Sequence, residues 1–232
     1  NLDTMRGDLP DLEWAAVVGD EPGPGNLVFD DLIAADPVDG PATVDPISPA
    51  LIAYTSGTTS DPKGVIHSHR TIGAEIRQRG AIQPPAPPSL IGAPVGHGIG
   101  MLAALLLPVR RRQPINLIDV WDPARVLAAM LEDGLSAGQG ATYFLISLLD
   151  HPDFDPDRHA KLMPYIGLGG SAVPAAVGER AGKLGIETMR SFGSTEHPSI
   201  TGCTAESPRD KRLHTDGIPL PGVEMRLVDE VG

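Results

Sequence analysis

Residues 54–65 of this chain read "YTSGTTSDPKGV", with five serine or threonine hydroxyls, two glycines, one proline and one lysine. Almost nothing in this stretch is apolar, whereas its flanks, "ALIAY" before it and Val65-Ile66 after it, are strongly so. A strand therefore delivers the chain to a polar, glycine-hinged loop, and another takes it away. Glycines let successive backbone N–H groups turn inward, hydroxyls add donors, and Lys63 adds positive charge; together these suit the oxygens of a polyphosphate. A solvated surface loop is the other reading of the stretch taken alone. The Walker pattern is not met, because Pro62 holds the second glycine's place and Gly64 follows Lys63 where a hydroxyl is needed. That order argues against a phosphotransferase of the P-loop kind.

A second polar stretch, "SFGSTEHPS" at residues 191–199, ends a strand-like run. The Phe192 ring offers a face for a purine, the Thr195 hydroxyl can reach a phosphate, and the Glu196 carboxylate is a hard-oxygen ligand for magnesium. An ordinary turn with a core phenylalanine and a solvated glutamate is the alternative. "LGGSAVP" at residues 168–174 and "PVGHGIG" at residues 94–100 supply two more glycine-rich loops, the latter with His97. His67, His69 and His197 show no metal-ligand spacing.

The elements that must hold these loops alternate. Strands are expected at residues 14–18, 50–54, 90–95 ("LIGAPV"), 115–119 ("INLID"), 165–170 ("YIGLGG") and 186–192. Helices are expected at residues 30–35, from Ser68 or His69 to Gly80, at 101–107, from Asp122-Pro123 to Glu132 with Gly134 beyond, and after Pro174. On the second of these, Ile72 and Ile76 face the core while Glu75 and Arg79 form an i, i+4 pair on the surface. Residues 36–49 and 83–89 read as connectors. This βαβα order predicts an α/β fold with a largely parallel sheet flanked by helices. Functional loops then fall at the carboxyl ends of strands, here 55–63, 96–100, 169–172 and 193–196.

With 232 residues the chain suffices for one sizeable domain. A formal net charge of −12 argues against nucleic acid or an anionic membrane as partner. Cys203 is the only cysteine, which excludes an internal disulfide, fits a reducing compartment such as the cytoplasm, and reads as a small core residue. The longest apolar run, residues 99–109, carries Pro108 and ends in Arg110-Arg111-Arg112, so it reads as a buried helix rather than a membrane span, with the arginines as solvated turn residues. No signal peptide is expected. The chain opens on Asn1 and closes on "VDEVG" just after a strand-like run, as a piece of a longer protein would.

"YTSGTTSDPKGV", "LGGSAVP" and "SFGSTE" occur in the order and approximate spacing of the adenylate-forming superfamily, and "DGIPLPGVEMRLVDE" at residues 216–230 resembles its next stretch. The chain thus resembles the AMP-forming acyl- and aryl-CoA synthetases, from about Trp14 to its end. The resemblance implies that Thr55, Ser56, Gly57, Thr58, Thr59 and Lys63 grip ATP's β- and γ-phosphates. Gly169, Gly170 and Ser171 would line the adenine pocket, with Phe192 stacking and Gly193 beside it. Thr195 would contact the α-phosphate, and Glu196, helped by Thr55, would hold Mg²⁺. Lys63, Thr195 and Glu196 become the catalytic set, and His97, in the family's P-x-x-H-x-x-G stretch, borders the acyl pocket with Gly169.

The implied reaction joins a carboxylic acid to AMP, releasing pyrophosphate, and then passes the acyl group to coenzyme A. Ser60 departs from the family's glycine and restricts the loop. The family's ribose-binding aspartate, hinge and C-terminal lysine domain would follow the last residue, and part of the large domain would precede the first. Residues 1–49 then end a preceding subdomain, and residues 50–232 form the AMP-binding α/β subdomain. Taken by itself, such a piece is expected to self-associate and not to turn over. No aspartate stands near His97 to hold an α-amino group, which favours a CoA ligase over an amino-acid adenylation domain. A non-catalytic nucleotide-binding or interaction module is the reading from a different class.

Overall fold

The structure, a computed structural model, describes residues 2–19, 23, 25–55, 61–84 and 86–229. Residues 1–44 and 45–232 form two compact units. In the first, helix α1 (Leu2–Met5) runs into a 3₁₀ turn (Arg6–Asp8), and the short strands β1 (Ala16–Val17) and β2 (Leu27–Val28) pair in parallel before helix α2 (Phe29–Ile33). The expected strand at 14–18 and helix at 30–35 are both present in shortened form.

The second unit opens with strands β3 (Pro49–Thr55) and β4 (Lys63–Ser68), which pair antiparallel so that Thr55 faces Lys63. The phosphate-loop stretch therefore joins two antiparallel strands instead of following a parallel one. Ser68 caps helix α3 (His69–Ile82): its hydroxyl accepts from the Thr71 N–H, and the Thr71 hydroxyl accepts from the Ser68 N–H. Gly80 does not end this helix. Gln83 leaves the helical region (φ −87°, ψ 121°) because Pro84 follows it.

Residues 98–111 are helical throughout, as α4 (Gly98–Gly100), a π-helical turn (Met101–Leu106) and α5 (Leu107–Arg111). Leu102, Ala103, Ala104 and Leu107 are buried along it. Arg111 is half-buried and donates to the Gln83 carbonyl, so it is not the solvated turn residue expected from sequence.

Helix α6 (Pro123–Asp133) starts where Asp122 accepts from the Ala124 and Arg125 N–H groups, and it stops at Gly134, whose φ of 68° is left-handed. Its buried Val126, Leu127 and Met130 join Leu145 and Leu148 from α7 (Thr142–Leu149) and Ala160 from α8 (Pro156–Leu162). Together these cover the parallel strands β5 (Tyr165–Leu168) and, after α9 (Ala175–Lys183), β6 (Glu187–Phe192).

Parallel pairing continues outward from β5 through single bridges, Gly140 with Leu168, Ser136 with Ser89, and Leu90 with Asn116. The expected strands at 90–95 and 115–119 thus shrink to one or two paired residues. Pro94 has no N–H to give a ladder, and a Cβ at Gly92 would fall 2.4 Å from the Trp121 ring. On the other side of β6 the sheet turns antiparallel, with β7 (Thr201–Gly202) and, beyond α10 (Arg209–His214), β8 (Ile218–Pro219). Arg190 secures that edge through an ion pair with Asp216 at 2.8 Å. The result is a mixed α/β fold whose loops after residues 90, 140, 168 and 192 gather at one end of the layer.

Candidate functional site

A cavity of about 590 Å³ lies within the second unit, at the carboxyl ends of these strands. His97, Gly169, Gly170, Gly193 and Thr195 border it. These are five of the residues singled out from sequence. Thr55, Lys63, Ser171, Phe192 and Glu196 stand outside its lining. Ser56, Gly57, Thr58 and Thr59, with Ser60, lie outside the described residues, so the tip of the hairpin loop is framed only by its ends. There the Thr55 hydroxyl donates to the Lys63 carbonyl at 3.4 Å, and the exposed Lys63 ammonium forms no ion pair with the described residues.

The P-x-x-H-x-x-G stretch makes a tight entry into the α4 run. The His97 N–H donates to the Pro94 carbonyl at 2.9 Å, and the Ile99 N–H donates to His97 Nδ1 at 3.2 Å. Gly100 is required by contact, since a Cβ there would lie 2.1 Å from the Pro94 oxygen. His97 itself is exposed, at the cavity rim. The π-helical turn that follows supplies Met101, Leu102 and Ala103 as an apolar wall. Hydrogen bonds Gly140 N to Gly167 O and Gly169 N to Gly140 O, both 3.0 Å, hold the main chain at the opposite wall.

After β6 the chain reverses within eight residues. Ser194 N donates to the His197 carbonyl at 3.0 Å and Ile200 N to the Phe192 carbonyl at 3.1 Å. A Cβ at Gly193 would sit 2.0 Å from the Pro198 oxygen, so only glycine closes this loop. Glu196 is exposed at its tip, and its own backbone N–H and the Ser194 hydroxyl hold its carboxyl below the usual carboxylate range. Phe192 is 52% exposed and presents a free ring face. Among the described residues, no group of three or more His, Cys, Asp or Glu converges on a metal position.

Beneath this loop lies a polar cluster absent from the sequence expectations. Buried His67, on β4, hydrogen-bonds through Nε2 to the Thr195 carbonyl at 2.7 Å. Buried Glu75, on α3, faces His197 Nε2 at 3.3 Å. Burial raises the Glu75 pKa; the Ser199 hydroxyl and then His197, Arg79 and His67 oppose it, although Ser199 does not reach full hydrogen-bond geometry. Arg79, one turn along α3, lines the cavity with its Nε wholly enclosed. Burial lowers its pKa, Glu75 raises it and Arg111 lowers it further. The surface pairing of Glu75 with Arg79 expected from their spacing is thus overturned. Both turn inward, and Glu75 pairs with a loop histidine instead. The signal was present, since residues 72, 75, 76 and 79 share one helical face.

Cys203 is buried, with its thiol toward the Thr215 carbonyl at 3.7 Å, and burial raises its pKa, as suits a small core residue. No helix among the described residues is long and apolar enough to cross a membrane.

Known proteins with this arrangement agree on its family. The chain is 30% identical over 183 residues to a medium-chain fatty-acid–CoA ligase of Escherichia coli, covering 78% of this chain and 32% of that ligase. It is 31% identical over 240 residues to an anthranilate–CoA ligase of Pseudomonas aeruginosa, covering 99% and 44%. The crystal structure of the anthranilate CoA ligase AuaEII in complex with anthranoyl-AMP superposes with a TM-score of 0.83 at 22% identity, over 100% of this chain and 45% of that one, a likeness of fold. The chain spans about a third to under half of the length of such curated relatives. A family model described as AMP-binding enzyme matches residues 6–232, and the chain belongs to that family.

Proposed function

We propose that this chain supplies the nucleotide- and acyl-binding part of an AMP-forming acid–CoA ligase. A carboxylate oxygen of the acid attacks the α-phosphorus of ATP, the bond to the β-phosphate oxygen breaks, and pyrophosphate leaves. The thiol sulfur of coenzyme A, losing its proton, then attacks the acyl carbon and AMP departs. The observation that supports this most is that His97, Gly169, Gly170, Gly193 and Thr195, drawn from three separate loops, border one cavity. The E. coli and P. aeruginosa relatives, both CoA ligases by name, support the same reading.

In this reading the two reactants are anions, so the task of the chain is alignment and charge neutralisation. Lys63 and Thr55, with Ser56 to Thr59 between them, take the β- and γ-phosphates. Main chain at Gly169, Gly170 and Ser171 borders adenine, the exposed Phe192 ring stacks on it, and Thr195 donates to the α-phosphate. His97 at the rim borders the acyl group. The ionised, exposed Glu196 fits one ligand position of Mg²⁺, which keeps most of its shell from phosphates and water and so needs no dense carboxylate cluster. When bound, Mg²⁺ would neutralise phosphate charge. The free, buried Cys203 suits a reducing, cytoplasmic setting. Residues 1–49 belong in this reading to a preceding subdomain and connector, and residues 50–232 to the AMP-binding subdomain.

Exposed Ile52 and Ile66, paired across the hairpin, are where an isolated chain would self-associate. The test of the reading is ATP–pyrophosphate exchange by the protein with a panel of aliphatic, cyclic and aryl acids. Acid-dependent exchange supports it, and AMP and pyrophosphate formation that ignores the acid would refute it.

A further inference from the structure

We propose that Arg79 binds a second oxygen acceptor, a distal carboxylate or ketone, on the acid that occupies the 590 Å³ cavity. The inference rests on the reading of this cavity as the acyl pocket. Arg79 is the only Lys, Arg, Asp or Glu among the described residues that line it. A guanidinium carries five N–H donors and stays charged. Yet its guanidinium makes no hydrogen bond or ion pair with any described residue, Glu75 acting on it only as a more distant charge, and its Nε is enclosed without a partner. Glu75, four residues earlier on α3, directs its Oε1 to His197 at 3.3 Å. On the other side, Arg111 donates to the Gln83 carbonyl and adds a second positive charge to the neighbourhood. A half-buried cation whose Nε is enclosed without a partner is completed by an acceptor in the cavity, and a site built this way favours a ligand that supplies one.

The walls around it define the rest of the ligand. Ile91, Met101, Leu102 and Ala103 are apolar and suit an aliphatic or ring body. Arg79 sits one turn, about 6 Å, beyond Glu75, and Glu75 marks the level of the 193–199 loop through His197. The second acceptor is therefore separated from the reacting carboxylate by several bonds. Plain acids of the same length would enter the cavity but leave the guanidinium unpaired beside an apolar chain. A site built to pair a polar group rejects the analogue that lacks it.

Three acids of equal length test this: a monocarboxylic acid, its ω-carboxylate and its ω-oxo counterpart. Each is offered to the wild type, Arg79→Met and Arg79→Gln in two assays, ligand-induced thermal shift without ATP and ATP–pyrophosphate exchange. In the wild type the bifunctional acids should bind about tenfold to a hundredfold tighter than the monoacid. Arg79→Met should erase that preference and take the monoacid at least as well. Arg79→Gln, which keeps neutral donors, should retain part of the ketone preference and little of the carboxylate preference. An ω-carboxylate ahead of the ω-oxo acid assigns an anion, and parity assigns a neutral acceptor. No preference in the wild type, or the same preference in both variants, overturns the role of Arg79. Arg79-dependent thermal shifts with no exchange for any acid would sustain it and overturn the ligase reading instead.

Discussion

His197 Nε2 lies 3.3 Å from the buried Oε1 of Glu75, which pins the loop carrying Thr195 and Glu196 to helix α3. His67 adds a second tie from β4 by donating Nε2–H to the Thr195 carbonyl at 2.7 Å. The loop is thus held from beneath by two elements distant in sequence, while Glu196 remains exposed on its outer side.

Glu75 should make stability fall as pH rises. Burial lifts its pKa in the folded chain above the ordinary 4.5, so the folded state holds this proton more tightly than the unfolded state. The stabilisation is complete below the unfolded value and is lost as pH climbs through the raised one. Glu75→Gln should remove this slope, gaining relative to wild type at pH 7 and little at pH 4. Denaturant midpoints at the two pH values would check it, and parallel pH dependences of both proteins would contradict it.

His67→Phe should destabilise the unit by about 1–3 kcal/mol, because the Thr195 carbonyl loses its donor in a largely enclosed place. Hydrogen exchange gives a sharper readout. Amides of residues 193–200 should exchange faster in the variant while those of α6 do not, and uniform acceleration would mean a general loss of packing.

Gly193→Ala places a methyl 2.0 Å from the Pro198 oxygen, which is backbone and cannot rotate away. The expected cost is about 1–3 kcal/mol, accompanied by displacement of Thr195 and, under the proposed function, a fall in nucleotide affinity. Calorimetric titration with AMP and a melting curve check both parts, and a variant with unchanged melting and binding would show that the loop has another closed form.

Glu196→Ala should leave the melting temperature within about a degree, since an exposed side chain away from packed features contributes within ±0.5 kcal/mol. Under the proposed function it should depress pyrophosphate exchange strongly and raise the Mg²⁺ concentration needed for half-maximal rate. Wild-type Mg²⁺ dependence in the variant would remove Glu196 from the metal site.

Local chemistry was enough to announce some parts of this protein. Asp122, Pro123 and Gly134 bracket α6 as their backbone preferences dictate, and Ser68 starts α3. The glycine- and hydroxyl-rich stretches at 54–65, 168–174 and 191–199 declared themselves by composition, although Leu168 and Val173 of the second also enter the core. Tertiary structure decided the rest. The stretches 90–95 and 115–119 were apolar enough to read as strands, but pairing needs a partner edge and free N–H groups, and only Ser89, Leu90 and Asn116 find them. Strands β7 and β8, of two residues each, carry too little periodicity to be read in advance. Glu75 and Arg79 show the limit most sharply. Their i, i+4 spacing suits a solvated pair, and equally the same face as Ile72 and Ile76. Which reading holds depends on what packs against that face. The loop tied to α3 through Glu75 is tied to β4 through the bond from His67 to Thr195, 128 positions apart in the chain. A contact across that separation is set by the fold, because only a formed core brings its two ends together and withdraws them from water.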